Sequence, residues 1–119
     1  MLEFIKVDFE FSDDRGVLKQ LCHDGWCQIN YLFTKKGVFR GNHYHKENQE
    51  AFYVIDGEID LVLEKDGKKE EYIVKTGDFF IIKPFAIHSM TFKKDTSMIA
   101  LYDKGVEKDG KKDIFIPEK

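Results

Sequence analysis

Two cysteines and two prolines are all that this 119-residue chain has of the residues that staple or break a backbone. With only Cys22 and Cys27, no disulfide framework is expected, and both read as reduced thiols in a loop or at a strand end. His23 and Trp26 lie between them, yet no further ligand pair appears to complete a cysteine-held metal site. An excess of one charge is also lacking: 19 basic and 22 acidic residues leave a net charge of −3, mixed along the chain. Neither nucleic acid nor an anionic membrane is therefore expected as a partner. No run approaches the length of a membrane span, and Met1–Lys6 does not look like a secretory leader, so a cytoplasmic location is the expectation. Repeats, low-complexity segments, linkers and a helical stripe sustained over three turns are missing too, which leaves one domain over residues 1–119.

What is present is core-forming material, 42% hydrophobic, in short runs of Val, Ile, Phe and Tyr. Asp-Gly and Lys-Gly pairs punctuate them. Ile59, Leu61 and Leu63 alternate with Glu58, Asp60, Val62 and Glu64, largely at the strand period of two. Asp56-Gly57 and Asp66-Gly67 both read as tight hairpin turns. Phe79–Ile82 is continuously apolar, as a buried strand would be. Ser89–Phe92 and Ser97–Tyr102 read as the last two barrel strands, and Ile114–Ile116 as a short edge strand. Many short strands at close spacing predict an all-β sandwich or barrel. The N-terminal strand within residues 1–12 is a candidate for pairing at a dimer edge, which predicts a homodimer. Residues 104–119 read as a solvated C-terminal tail.

Three of the four histidines fall in one pattern with a glutamate. His43 and His45 are two apart, so on a strand both imidazoles point to the same face. Glu50 follows a short polar turn and can return toward the same point. His88 must arrive from a distant strand, which only a closed fold permits. Three imidazoles and one carboxylate suit one divalent transition metal (Fe, Mn, Zn, Ni or Cu) and leave positions open for water or substrate.

The order Gly37, five residues, His43-x-His45, four residues, Glu50, six residues, Gly57, followed by Gly77-Asp78 and His88, resembles the two signature motifs of the cupin superfamily. Pro84 stands one residue later than the usual proline, and Phe85 stands where a glycine is common. The resemblance implies a cupin jelly-roll β-barrel of six to eight strands with the site inside it. Asp14-Arg15-Gly16-Val17-Leu18 and Arg40-Gly41-Asn42-His43-Tyr44-His45-Lys46 further resemble small cupins of bacterial surface-polysaccharide synthesis, including nucleotide-sugar 3,4-ketoisomerases. Those tend to lack a carboxylate where Glu50 stands and to work without metal.

Two readings therefore compete for the same side chains. Metal-free, His43 or His45 would be the acid or base that moves a proton beside a sugar carbonyl. With His43, His45, Glu50 and His88 as ligands, a metal would polarise the sugar oxygens. The expected function is a sugar or nucleotide-sugar isomerase or epimerase. A metal-dependent oxygenase and a non-catalytic sugar-binding accessory cupin are the alternatives. Arg40 is a candidate for a substrate phosphate, although strict alternation turns it, with Asn42 and Tyr44, away from His43 and His45. Trp26 is a candidate for stacking on a sugar or base.

Overall fold

Alternation decides which way each strand faces, and the positive-φ turns decide where the chain changes direction. The computed structural model describes residues 1–117. In chain order the strands are β1 (Leu2–Phe4), β2 (Phe9–Asp13), β3 (Gly16–Gln20), β4 (Gln28–Thr34), β5 (Phe39–His43), β6 (Glu50–Asp56), β7 (Glu58–Lys65), β8 (Lys68–Lys75), β9 (Phe79–Ile82), β10 (Ile87–Phe92), β11 (Thr96–Tyr102), β12 (Glu107–Lys108) and β13 (Lys111–Lys112). A five-stranded sheet, β1-β9-β6-β11-β4, faces a four-stranded sheet, β5-β10-β7-β8, with every pairing antiparallel. This is the expected all-β jelly roll. It has more strands than the six to eight implied by the resemblance, because β1 adds to the sheet edge along Phe80–Ile82.

The core lies between the sheets. Ile59, Leu61 and Leu63 on β7 are fully buried, and they meet Val74, Phe80, Met90, Phe92 and Met98. Each such side chain contributes about 1.5–3 kcal/mol by leaving water. β6, β9 and β11 are apolar on both faces, since their outer surface carries a second cluster. There Ala51, Phe79 and Leu101 pack under Ile5, Val7, Leu21 and Trp26. That double cover is why Phe79–Ile82 shows no alternation.

Three turns depart from, or refine, the sequence reading. Asp66-Gly67 is a two-residue hairpin between Lys65 and Lys68, with φ of 54° and 77°. Asp56-Gly57 is not a hairpin: β6 pairs with β9 and β11, and β7 with β8 and β10. Gly57 instead carries the chain from one sheet to the other, so tightly that a Cβ there would overlap the Thr96 side chain. Before β10, Phe85 takes φ 68°, the conformation glycine adopts readily, and its ring stacks on Tyr44 with centroids 6.3 Å apart.

Both termini also differ from expectation. The N-terminal segment is two strands, not one: β1 joins its own barrel, while β2 and β3 form a separate hairpin that is exposed along its whole length. The C-terminal segment is not a solvated tail. β12 and β13 pair, Asp113 is buried, and Phe115 bridges to Tyr44, although Ile114–Ile116 does not extend into a strand. Of the expected tail, residues 118–119 lie outside the described residues.

Candidate functional site

The four cluster residues come from three places in the fold. His43 ends β5, with His45 two residues on, Glu50 begins β6, and His88 stands near the start of β10. One potential ligand atom from each lies within 4.8 Å of the others. Glu50 is registered against Tyr102 and Ile82, in the middle of the five-stranded sheet. His43 and His88 face each other across the β5–β10 ladder, with ring centroids 4.4 Å apart.

That ladder contains a bulge. His88 pairs with His43, and the next residue, Ser89, pairs with Gly41, so Asn42 is left over with φ 58°. Gly41 has φ 110°, and a Cβ there would lie 2.6 Å from the His88 carbonyl oxygen. Only glycine lets β5 approach β10 so closely. The extra residue corrects the expected alternation: Arg40 shares the face of His43 instead of opposing it. Arg40 lines the same chamber, and its Nε donates to Thr34 Oγ1 at 2.9 Å.

The chamber has a volume of about 360 Å³, toward the small end of the roughly 300–1,000 Å³ usual for ligand sites. It lies beside β4 and β5, the adjoining free edges of the two sheets. His43, Glu50, His88, Arg40, Asn30 and Tyr102 supply its polar lining, and Phe52, Met90, Phe92 and Met98 its apolar floor. A wider groove of about 550 Å³ lies outside the barrel beside Lys46, Lys104 and Lys112, and none of the four cluster residues opens onto it. Trp26 does not reach the chamber. It packs on the outer face of the five-stranded sheet.

The hydrogen bonds fix which nitrogens face inward. His45 Nδ1 lies 2.5 Å from the Asp113 carbonyl oxygen, which can only accept, so Nδ1 carries the proton. His45 Nε2 then points at Glu50 Oε1, 3.0 Å away. His88 repeats the arrangement: Nδ1 donates to the Ala86 carbonyl at 3.4 Å, and Nε2 lies 3.2 Å from the same Glu50 oxygen. His88 Nε2 is buried and has no hydrogen-bond partner among the described residues. In the neutral rings, two bare nitrogens confront one carboxylate, and only a cation, a proton or a metal ion, reconciles them. The donor set thus fits one divalent cation held by His43, His45, Glu50 and His88.

The titration behaviour follows from this geometry. Burial alone would raise the Glu50 carboxyl, but the hydrogen bond to His45 and the close imidazoles of His45 and His88 outweigh it and hold it down to about 2. Burial would lower His45, but Glu50 and Asp113 outweigh it and raise it. His43 drops to about 4 through burial and the neighbouring His88, with Glu50 opposing. Burial and then Glu50 raise the Tyr102 phenol, which stays protonated.

Sequence reasoning missed Asn30, Tyr102 and Asp113. Tyr102 was within reach of it, since the period of two along β11 places Tyr102 with Met98 and Ala100. Asp113 was not, because nothing in its spacing links it to His45.

A family model described as a cupin domain matches residues 32–102. No curated protein matches the chain. Among solved structures, a 3,4-ketoisomerase from Helicobacter canadensis is 19% identical and superposes with a TM-score of 0.81, over 98% of this chain and 90% of that one. QdtA, a sugar 3,4-ketoisomerase from Thermoanaerobacterium thermosaccharolyticum solved in complex with TDP, is 16% identical, with a TM-score of 0.81 over 98% and 88%. CapF, a capsular polysaccharide assembling protein from Staphylococcus aureus, is 22% identical, with a TM-score of 0.68 over 93% of this chain and 32% of that one. At these identities the likeness is one of fold.

Proposed function

The chain belongs to the cupin domain family, and we propose that it is a keto-sugar isomerase or epimerase acting on a nucleotide-linked sugar, with the barrel chamber holding the sugar ring. One observation carries the reading. Of the two clustered imidazoles that line the chamber, His43 and His88, His43 alone is only half-buried, and it stays uncharged at neutral pH. His45 is sealed between Glu50 and Asp113 and does not line the chamber. The choice between His43 and His45 as the base therefore falls on His43.

In this reading His43 takes the proton from the carbon beside the sugar carbonyl and returns it to the former carbonyl carbon. The hydroxyl proton passes between the two sugar oxygens, so the reaction balances without an oxidant. Arg40 holds a phosphate at the chamber mouth through the guanidinium nitrogens that Thr34 leaves free. A divalent cation on the four ligands would occupy His43 and, in place of the free base, would supply Lewis acidity toward the sugar oxygens. The chamber volume suits one sugar ring and leaves the nucleotide outside it.

The test is to incubate the protein in D₂O with nucleotide-linked 4-keto sugars and follow the ring protons by NMR. Deuterium entering beside the carbonyl, together with a new isomer, is the expected result. A protein that binds such sugars without exchange is an accessory cupin, and the enzyme reading falls. Elemental analysis of the purified protein decides the metal.

The same proposal includes a homodimer. Phe9, Phe11, Val17 and Leu18 on the β2–β3 hairpin face solvent, as do Ile29, Tyr31 and Phe33 on the edge strand β4. Apolar surface on an open edge calls for a cover. Leu18→Asp is expected to shift the sedimenting species from dimer to monomer, and a wild-type monomer at micromolar concentration would remove the dimer.

A further inference from the structure

Resting on the reading of His43, His45, Glu50 and His88 as one site, we propose that Asp113 is its positioning residue: the C-terminal segment is a clamp that selects the ring tautomer of His45. Asp113 lies beyond the stretch matched by the cupin model, which ends at residue 102. It nevertheless makes the densest set of polar contacts around the site. Its backbone carbonyl accepts from His45 Nδ1. Its carboxylate accepts from the successive backbone N–H groups of Lys46 (2.8 Å), Glu47 (3.0 Å) and Asn48 (2.9 Å), and from Asn48 Nδ2 (2.8 Å). Three consecutive amides converging on one carboxylate form an anion-binding nest, here filled from within the chain.

The clamp closes from both sides of His45. Tyr44 and Phe115 exchange backbone hydrogen bonds of 2.9 and 3.0 Å. On the other side Asn48 Oδ1 accepts from Lys104 N at 3.0 Å, and its Nδ2 also donates to the Gly105 carbonyl at 2.9 Å. The residues flanking His45 are thus tied to residues 104–105 and 113–115, and the ring between them is left one orientation.

The tautomer is what the clamp decides. With the Asp113 carbonyl in place, the proton sits on Nδ1, and Nε2 is turned to the site with its lone pair. Without it, the better partner is Glu50: Nε2 takes the proton and donates to the carboxylate, and the ligand nitrogen is lost. A hydrogen bond on the far nitrogen is the general means by which a protein fixes the coordinating nitrogen of an imidazole.

The experiment uses the full chain, stripped of metal, with its imidazoles labelled with ¹⁵N. Two measurements are compared in wild type, Asp113→Ala and Asp113→Asn: the nitrogen signals of His45, and the affinity for Co(II). In wild type the His45 Nδ1 signal is expected at the protonated position. In Asp113→Ala it should move toward the unprotonated position, and Co(II) affinity should fall roughly 10- to 100-fold. Asp113→Asn keeps the shape but sets an amide NH₂ against N–H donors, so smaller shifts in the same direction are expected. It carries the test if Asp113→Ala does not fold. If both variants merely melt earlier, with the Nδ1 proton and Co(II) affinity unchanged, Asp113 is structural and the proposal is overturned. If wild type binds no Co(II), the metal reading fails, and the nitrogen signals alone decide the clamp.

Discussion

The two halves of the site differ in what they leave open. On one side His45, Glu50 and His88 are at most 3% exposed, and every charge there has a partner within the barrel. On the other side the more exposed His43, Arg40 and Asn30 look onto the chamber, whose inner wall Glu50 and His88 form. Burying an ion without its partner costs several kcal/mol, so the sealed half must be complete before anything binds. A group that exchanges protons with a ligand must be reachable, so the open half holds the one half-buried imidazole of the cluster, His43. Residues two apart in sequence are thereby divided between holding and reacting.

The largest test of that division is His43→Ala. Turnover of a nucleotide-linked keto sugar should fall by roughly 10²–10⁴, the range for a lost general base. The denaturant midpoint should barely move, since the ring is half-buried and burial already works against its charged form. A loss of stability comparable to that of the next variant would erase the distinction. Glu50→Ala strikes the sealed half and should cost about 3–5 kcal/mol, the usual consequence of removing one partner from a buried ionic group. Divalent-metal retention should vanish with it. A midpoint within error of wild type would show that His45 and His88 do not depend on the carboxylate. Arg40→Ala acts at the mouth. KM should rise roughly tenfold or more while kcat stays near wild type, as expected when one charge-assisted contact made equally in the ground and transition states is lost. An equal fall in kcat would move Arg40 into the chemistry.

The same contrast marks how far the sequence could be read. The fold was legible because alternation along β7 and the turn pair Asp66-Gly67 are local signals. The convergence of His43, His45, Glu50 and His88 was legible because spacing of two on a strand is geometric and the motif spacing is specific. Arg40 was misplaced because a single extra residue at Asn42 reverses the parity upstream of it, and only the close approach of Gly41 to His88 reveals the bulge. Asp56-Gly57 misled for a related reason: a tight turn between two strands says nothing about whether they share a sheet. Asp113 acts on His45 through a backbone carbonyl, a group every residue has, so no residue type announces it.

The smallest expected effect is in the pH dependence of stability, and it isolates the sealed half. Glu50 is lowered from its ordinary 4.5 to about 2, so the stability it contributes is fully present above 4.5 and is lost as pH falls toward 2. His45 is raised from 6.5, so its contribution is fully present below 6.5 and is lost as pH climbs through the raised value. In metal-free protein the pair therefore stabilises most between about pH 4.5 and 6.5. The gap in unfolding free energy between wild type and Glu50→Ala should be widest there and narrow on both sides. His43 is lowered from 6.5 to about 4, so it works against the fold as pH falls through that range, and His43→Ala should gain on wild type there instead of losing stability as Glu50→Ala does. A gap that is flat from pH 3 to 8 would mean that no proton is held between His45 and Glu50. A metal ion would then be the only species left to reconcile the bare nitrogens with the carboxylate.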